Sequence, residues 1–216
     1  MKAIIYEQYG SPDVLRYKEI AKPEPKENEL LIDIKASSIN SRDWRLLRAN
    51  PFFVRLMGQG LLRPKNPILG ADVAGTIIAT GKDITQFQPG DDVFGFLSLE
   101  QGGAYAEFAC AAEDIMAPKP DNLTYEQAAA VPLAALTALQ GLRDYGKIQP
   151  AQKVLVQGGS GGVGTFAVQI AKALGAEVTA VCSTRNVDMV RELGADHVVD
   201  YKKEKVTDLG QTFDLT

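Results

Sequence analysis

The stretch Lys153-Val-Leu-Val-Gln-Gly-Gly-Ser-Gly-Gly-Val-Gly164 decides how the second half of the chain folds. The apolar residues after Lys153 predict a short buried strand. After Gly164, apolar side chains recur every three or four positions, which predicts a helix. A second apolar run, 178–182, has the position of the next strand. This order of strand, glycine-rich turn, helix and strand is typical of a βαβ unit with a parallel sheet.

The glycines of this turn follow the pattern G-x-G-x-x-G, at Gly159, Gly161 and Gly164. Within a βαβ unit this spacing permits a tight turn, close approach of the backbone to a pyrophosphate, and close packing of the helix on the strand. The phosphates then lie over free N–H groups at the helix N-terminus. We therefore predict a dinucleotide site that contains Gly159, Ser160, Gly161, Gly162, Val163 and Gly164.

The end of the second strand indicates which dinucleotide binds. Proteins that bind NAD usually have an Asp or Glu about 20 residues beyond the first glycine, where it binds the ribose 2′-hydroxyl. This chain has Cys182-Ser-Thr-Arg-Asn186, and no acid until Asp188. Arg185 can form charge-assisted hydrogen bonds to a 2′-phosphate, and Ser183 or Thr184 can add hydroxyl donors. We therefore expect NADPH as the cofactor, although Arg185 could also be an ordinary solvated cation.

Composition narrows the class of protein and its partners. The 216 residues include 23 basic and 27 acidic side chains without a basic block, so nucleic acid is not an expected partner. An acid at Glu7 comes too early for a secretory signal, and the long uncharged run is the glycine turn with its helix, so no integral membrane segment is expected. Cys110 and Cys182 form no C-x-x-C motif and suit a reducing, cytoplasmic location.

The two halves of the sequence differ in their pattern of predicted secondary structure. Short strand-like runs separated by Gly, Pro, Asp and Asn predict an antiparallel, barrel-like β domain, and they are 3–7, 15–20, 30–37, 73–80, 93–96 and 105–111. From about Thr124 onward, helices and strands alternate. Thr124 and Gln127 have capping-box spacing, and Pro132 is expected to end one helix and begin the next. We predict domains at residues 1–121 and 122–216.

The last residues, Thr212-Phe-Asp-Leu-Thr216, have the pattern of a fourth strand. A doubly wound dinucleotide domain consists of two βαβαβ halves. Residues 153–216 supply about one half, so we expect the chain to be part of a longer protein.

A β domain before a dinucleotide domain resembles the medium-chain dehydrogenase/reductase superfamily, and within it the zinc-independent quinone oxidoreductase branch. The segments that carry the likeness are Ser38-Ile-Asn-Ser-Arg-Asp43, Gly70-Ala-Asp-Val-Ala-Gly75, Pro89-Gly-Asp-Asp-Val-Phe94, Gly103-Ala-Tyr-Ala-Glu107, the glycine turn and Leu193-Gly-Ala-Asp-His-Val-Val-Asp-Tyr201. The resemblance implies an α/β fold with an N-terminal GroES-like β-barrel domain, followed by a partial Rossmann domain with a doubly wound parallel sheet. Relatives of this kind are usually homo-oligomers.

The differences from the zinc alcohol dehydrogenases bear on the chemistry. Those enzymes have a zinc-ligand Cys near Ile39 and Asn40, and Gly-His-Glu where this chain has Gly70-Ala71-Asp72. A catalytic zinc needs about three protein ligands, and this chain has a single His, so no metal site is expected. Without a Lewis acid, oxidation of simple alcohols is disfavoured. The resemblance instead implies hydride transfer from NADPH to quinones or α,β-unsaturated carbonyls.

The resemblance also implies roles for three residues. Asn40 would lie beside the nicotinamide and could donate to the acceptor carbonyl, so it is the expected catalytic residue. Thr137 would contact the nicotinamide ribose or ring, and Tyr201 the region of the 2′-phosphate. Each residue also has a purely structural interpretation. Asn40 could cap a turn, Thr137 could bond to a helix carbonyl, and Tyr201 could cover the edge of the sheet. No tyrosine follows Asn40 where several relatives have one, so the sequence names no proton donor, and solvent could serve.

Other functions remain open. An enoyl-thioester reductase would favour acyl-CoA acceptors, and an NADPH-binding protein with little catalysis, as among the zeta-crystallins, would have no good acceptor. Residues 44–67 are apolar and basic without an acid, and include Met57. This segment could be a lid over the substrate, a membrane-surface helix that meets lipid quinone, or an amphipathic insert packed on the β domain.

Overall fold

The structure is a computed structural model that describes residues 1–56, 60–98 and 103–216. Contacts between residues divide it into two units, Met1–Leu133 and Ala134–Thr216. The predicted domain boundary, between residues 121 and 122, precedes this division by twelve residues. Each unit has a hydrophobic core of its own.

The first unit is built on short antiparallel strands. They are β1 (Lys2–Ile5), β2 (Arg16–Glu19), β3 (Glu29–Ser37), β4 (Asp72–Thr80), β5 (Asp92–Phe96), β6 (Phe108–Ala112) and β7 (Met116–Pro118). Strands β1 and β2 form a pair, and the others form one sheet in the order β6-β3-β4-β5-β7. Every predicted run overlaps a strand, and β7 was not predicted.

The expected barrel is corrected to an open sheet, because among the described strands β6 and β7 are edges of the row. Alternating apolar residues predict a strand with one buried face, but they do not say whether the edge strands pair with each other. The buried face is firmly established, since Leu30, Ile32, Val73 and Val93 from the three central strands are fully buried in one core.

Two α-helices lie wholly within the first unit. Helix α1 (Ser41–Arg48) follows Asn40, whose backbone N–H donates to the Asp43 carboxylate at 2.7 Å. Helix α2 (Tyr125–Ala129) begins with the predicted capping box, in which Thr124 Oγ1 accepts from Gln127 N at 3.2 Å.

The apolar and basic segment 44–67 contains the end of α1 and a 3₁₀ turn, Phe52–Arg55. Met57, with residues 58 and 59, lies outside the described residues. Leu47 is buried against Tyr6 and Leu69. Several large apolar side chains are more than half exposed, namely Phe52, Phe53, Leu56, Leu61 and Leu62. These observations do not decide between a lid over the substrate, a membrane-surface helix and an insert packed on the β domain.

The second unit has the predicted βαβ order. Its elements are α3 (Pro132–Leu139, starting at the boundary), β8 (Lys153–Gln157), α4 (Gly162–Ala173), β9 (Glu177–Cys182), α5 (Val187–Glu192) and β10 (His197–Asp200). The strands are parallel in the order β10-β9-β8. This is the strand order 3-2-1 of one half of a doubly wound sheet. Pro132 begins α3 as predicted, and a π-helical turn, Gln140–Tyr145, follows that helix.

The predicted fourth strand is reduced to one parallel bridge, between Val154 and Leu215. Leu155 N donates to Leu215 O at 2.9 Å, so the segment lies along the edge of β8 that faces away from β9. A doubly wound sheet continues with its next strand at this edge. In the described part of the chain, helices long and apolar enough to cross a membrane are absent.

Candidate functional site

The glycine turn after β8 shows why small residues occupy it. Gly158, which the spacing argument did not include, has φ +72°, a left-handed conformation that favours glycine. A Cβ on Gly159 would lie 2.9 Å from Ala180 Cβ on β9, and a Cβ on Gly164 would lie 2.1 Å from Gly158 O. Two of the glycines thus allow the helix and the sheet to pack closely, and a third makes the turn.

The open side of the turn leads to the N-terminus of α4. Gly161 is the N-cap residue, and Gly161, Gly162 and Val163 are exposed. The first N–H groups of a helix lack partners within the helix, and a positive end of the helix dipole lies beside them. A Cβ on Gly162 would meet no described atom within 4 Å, so a ligand could approach this backbone closely.

Thr137 lies on the wall of the same cavity as the glycine turn. The cavity has a volume of about 620 Å³, in the range of small-molecule sites, and its lining includes Gly158, Gly161, Val163 and Gly164. Thr137, from α3, was expected beside a nicotinamide only because of the resemblance to relatives. The structure brings it together with the residues expected to hold the phosphates.

Asn186 connects two predicted parts of the site, and sequence reasoning did not single it out. Its Nδ2 lies 3.0 Å from Ser160 Oγ in the glycine turn and 3.2 Å from Ser183 Oγ at the end of β9. Because both hydroxyls accept from Asn186, each can still donate its own hydrogen. The signal in the sequence was a polar residue just beyond Ser183, but the contact with Ser160 is tertiary.

The residues expected at the 2′-phosphate lie near one another at the ends of β9 and β10. Thr184 and Arg185 are exposed in a 3₁₀ turn directly after Ser183. Tyr201 is 58% exposed, and its backbone N–H donates to Cys182 O at 3.2 Å. The turn and Tyr201 thus border one surface.

The structure also brings a carboxylate to this region, from the neighbouring strand. Asp200 pairs in register with Cys182 and is buried. A hydrogen bond from the Thr184 hydroxyl, then Lys202 N and Lys203, hold the pKa of Asp200 below its usual value. The sequence directly after β9 has no acid, but the neighbouring strand β10 supplies one, Asp200. This carboxylate is buried and has Lys203 at 3.6 Å, whereas Arg185, two residues after Ser183, is exposed.

Asn40, in the first unit, belongs to a partly buried polar network around the buried Asp72. Its Nδ2 lies 2.9 Å from Asp72 Oδ2 and 2.9 Å from Ser38 Oγ. Ser38 Oγ donates to the same Asp72 oxygen at 2.6 Å, and Leu133 N donates to Asp72 Oδ1 at 2.9 Å. Burial raises the pKa of Asp72, although these hydrogen bonds act in the opposite direction. Sequence reasoning treated Asp72 only as part of a motif.

A second buried carboxylate holds the other side of Asn40. Asp43 Oδ2 accepts from Asn40 N at 2.7 Å and from the Tyr105 hydroxyl at 2.9 Å. Burial, and then the charge of Asp43, raise the pKa of Tyr105 well above its usual value. Tyr105 is therefore a poor proton donor at neutral pH. Nearby, Arg42 stacks over Phe96, with 5.0 Å from the guanidinium carbon to the ring centre.

Comparison with known proteins identifies the chain. Residues 26–121 match the family model of the alcohol dehydrogenase GroES-like domain, and residues 162–215 match that of the zinc-binding dehydrogenases. The two matches fall on the open antiparallel sheet and on the βαβ region, in the order of the medium-chain dehydrogenases. The chain belongs to the medium-chain dehydrogenase/reductase superfamily.

Known members of this superfamily are similar over nearly the whole chain. A chloroplastic quinone-oxidoreductase homolog of Spinacia oleracea is 40% identical over 213 residues, which are 94% of this chain and 61% of that protein. The structure of the quinone oxidoreductase from Coxiella burnetii has a TM-score of 0.87 and 34% identity, and covers 98% of this chain and 65% of that one. A mycobacterial protein solved in complex with NADPH has a TM-score of 0.80 and 31% identity, and the match covers 94% of this chain and 60% of that one.

The chain thus spans about three fifths of the length of these relatives. The expected cytoplasmic location stays a prediction, since the spinach relative is named as chloroplastic.

One family model is described as zinc-binding dehydrogenase, but the residues present in this chain do not fit a catalytic zinc site. The positions expected to hold zinc ligands are Asn40 and Ala71, and neither an amide nor a methyl group is a usual zinc ligand. Among the described residues, no group of three His, Cys, Asp or Glu is placed to hold a metal ion. Zinc independence stays a prediction for this medium-chain dehydrogenase/reductase.

Proposed function

We propose that this chain binds NADPH, and that it belongs to a zinc-independent oxidoreductase that transfers hydride to quinones or α,β-unsaturated carbonyls. The observation that carries the proposal is the shared cavity of Thr137 and the glycine turn. A turn whose backbone a ligand could approach closely and a residue expected at the nicotinamide line one space of suitable size. The names of the spinach and Coxiella relatives support the substrate class.

NADPH is proposed over NADH because of the surface after β9. Arg185 is exposed there, Ser183 and Ser160 keep hydroxyl hydrogens to donate, and the nearby Asp200 is buried. A guanidinium binds a phosphate dianion better than a neutral ribose hydroxyl. Tyr201 would cover the adenosine end of the nucleotide. The relative solved with NADPH supports this choice.

In this proposal the cofactor supplies the hydride, and the chain supplies binding and orientation. The turn from Gly159 to Gly164 would hold the pyrophosphate over the start of α4, and Thr137 would contact the nicotinamide ribose or ring. Asn40 would act beside the nicotinamide. Residues 1–121 would form the substrate domain and 122–216 the nucleotide domain. We also propose that the protein forms homo-oligomers, is located in the cytoplasm and has no nucleic-acid partner. These proposals rest on the sequence and the resemblance described above.

The test is NADPH consumption with a panel of acceptors, comprising a quinone, an enone, an enoyl thioester and a simple aldehyde. We expect turnover with the quinone or the enone, little with the aldehyde, and no loss of rate after treatment with a chelator. Fastest turnover with the thioester would favour the enoyl reductase. Tight NADPH binding without turnover of any acceptor would contradict the proposed enzyme and favour the cofactor-binding protein.

A further inference from the structure

We propose that Asp72 is a positioning residue, which fixes the side-chain amide of Asn40 so that it offers its oxygen, an acceptor, to the bound ligand. The network that carries the inference is within the first unit and does not depend on the proposed function. The identity of the ligand does rest on that function.

The orientation of the Asn40 amide follows from its neighbours. An ionised carboxylate can only accept hydrogen bonds, so the atom 2.9 Å from Asp72 Oδ2 must be a donor. If the amide were turned by half a rotation, its oxygen would face a carboxylate oxygen at that distance, which is repulsive. The assignment of the nitrogen to this side is thus set by chemistry.

Ser38 is a second acceptor beside the Asn40 nitrogen. A serine hydroxyl has one hydrogen, and Ser38 donates it to Asp72 Oδ2 at 2.6 Å. Toward Asn40 Nδ2, at 2.9 Å, the same hydroxyl can therefore only accept. These two acceptors are 2.6 Å apart, so both lie on one side of Asn40 Nδ2 and the nitrogen is held against them.

With its nitrogen held against Asp72 and Ser38, the Asn40 amide has its oxygen, Oδ1, to offer to a ligand. This oxygen accepts from an N–H or O–H group. Two groups have this chemistry in the proposed reaction, namely the carboxamide N–H of the nicotinamide and a hydroxyl on the reduced product. If removal of the Asn40 amide lowers only the affinity for the nucleotide, the carboxamide N–H is the group bound. If it lowers turnover at saturating nucleotide, the hydroxyl of the product is the group bound.

Asp72 has the properties that a positioning residue needs. It is 0% exposed, and the Leu133 backbone N–H holds its other oxygen at 2.9 Å. Its own backbone carbonyl accepts from the Ser37 hydroxyl at 2.8 Å. Removing one partner of a buried carboxylate costs more than an exposed hydrogen bond, because the remaining groups stay desolvated. The geometry of the amide is therefore held firmly.

Two neighbouring serines provide a matched pair for the test. Both are half-buried and both donate to Asp72, but Ser38 donates to the carboxylate and Ser37 to the backbone carbonyl. In the full chain, the side-chain amide protons of Asn40 would be followed by ¹⁵N NMR. We expect exchange with water to be about tenfold faster in Ser38→Ala, as expected for the loss of about 1.4 kcal/mol. Exchange should be unchanged in Ser37→Ala and restored in Ser38→Thr.

Asp72→Asn should accelerate the same exchange at least as much, and the serine variants decide the matter if that protein does not fold. Equal exchange in the wild type and in Ser38→Ala would overturn the proposal, whatever the activity. For the ligand, NADPH should leave the amide protons protected, because they are not donated to it. If NADPH binding instead breaks the contacts of the amide with Ser38 and Asp72, the assignment of Oδ1 is wrong. Failure of wild-type turnover would contradict only the proposed function.

Discussion

The side-chain nitrogen of Asn186 lies 3.0 Å from Ser160 Oγ, and it thereby ties the end of β9 to the glycine turn that follows β8. The same nitrogen lies 3.2 Å from Ser183 Oγ. One amide thus sets the positions of two hydroxyls that are expected to face different phosphates of one nucleotide. Preorganised donors of this kind raise affinity because little entropy is lost when the ligand binds.

Replacing this amide should weaken nucleotide binding without unfolding the protein. We expect Asn186→Ala to raise the Kd for NADPH about tenfold, a loss of about 1.4 kcal/mol, because the two serine hydroxyls are no longer preorganised. Isothermal titration would measure it. Gln169→Ala is the matched control, because Gln169 donates its amide to Thr165 O within α4 and is exposed. An unchanged Kd for Asn186→Ala would show that the two serines need no bridge.

Arg185 should determine the choice between the two nucleotides. Arg185→Ala is expected to weaken NADPH binding by about tenfold or more and to leave NADH binding unchanged, because only NADPH carries the 2′-phosphate. Arg191→Ala serves as the control, since Arg191 is an exposed arginine on α5 whose partner is Asp188 at 3.5 Å. Equal losses for both nucleotides would mean that Arg185 acts on the fold or on the pyrophosphate.

The close packing at Gly164 predicts a large difference between two glycines of one helix. Gly164→Ala would put a Cβ 2.1 Å from Gly158 O, so we expect it to lower the free energy of unfolding by about 1–3 kcal/mol. Gly162→Ala meets no described atom within 4 Å and should stabilise the helix by about 0.5–1 kcal/mol, while weakening NADPH binding. Urea denaturation with and without NADPH would measure both effects. Equal stability of the two variants would contradict the packing described for this turn.

The carboxylate of Asp196 should make the stability of the second unit depend on pH. Burial alone would raise its pKa, but Lys172 Nζ at 2.7 Å and Val178 N at 2.7 Å outweigh burial and hold the pKa below its usual value. A depressed pKa contributes stability above the unfolded-state pKa, and this contribution is lost as pH falls through the folded-state pKa. Asp196→Asn should therefore be less stable than the wild type at neutral pH.

The difference should shrink as the solution becomes acidic. Denaturation over a pH series would measure it, with Asp188→Asn as the control, because Asp188 is 93% exposed. A difference that stays constant down to strongly acidic pH would mean that Asp196 acts only through its shape.

Local sequence was sufficient for the second unit and less so for the first. The strand over 153–157 and the helix after the glycine turn could be predicted because periodicity and glycine spacing act over a few residues. Helix α1 was not predicted, although Asn40 and Asp43 at its start are a capping signal. The closure of the first sheet was predicted wrongly, since edge pairing depends on strands far apart in the sequence.

The candidate site divides in the same way. The residues of the turn could be predicted from their spacing, and the structure gives physical reasons for Gly159 and Gly164. The bridge through Asn186 joins residues 26 positions apart, and the contact of Asn40 with Asp72 joins residues 32 apart. No periodicity reports such contacts, so Asn186 and Asp72 became visible only in the folded chain.

Titration of the wild-type chain with NADPH and with NADH, followed by nucleotide fluorescence, is the most direct test of the proposed cofactor site. We predict that both bind through the glycine turn, and that NADPH binds about tenfold or more tightly, as a charge-assisted contact to one phosphate would give. Equal affinity, or tighter binding of NADH, would contradict the assignment of Ser183, Thr184 and Arg185 to the 2′-phosphate.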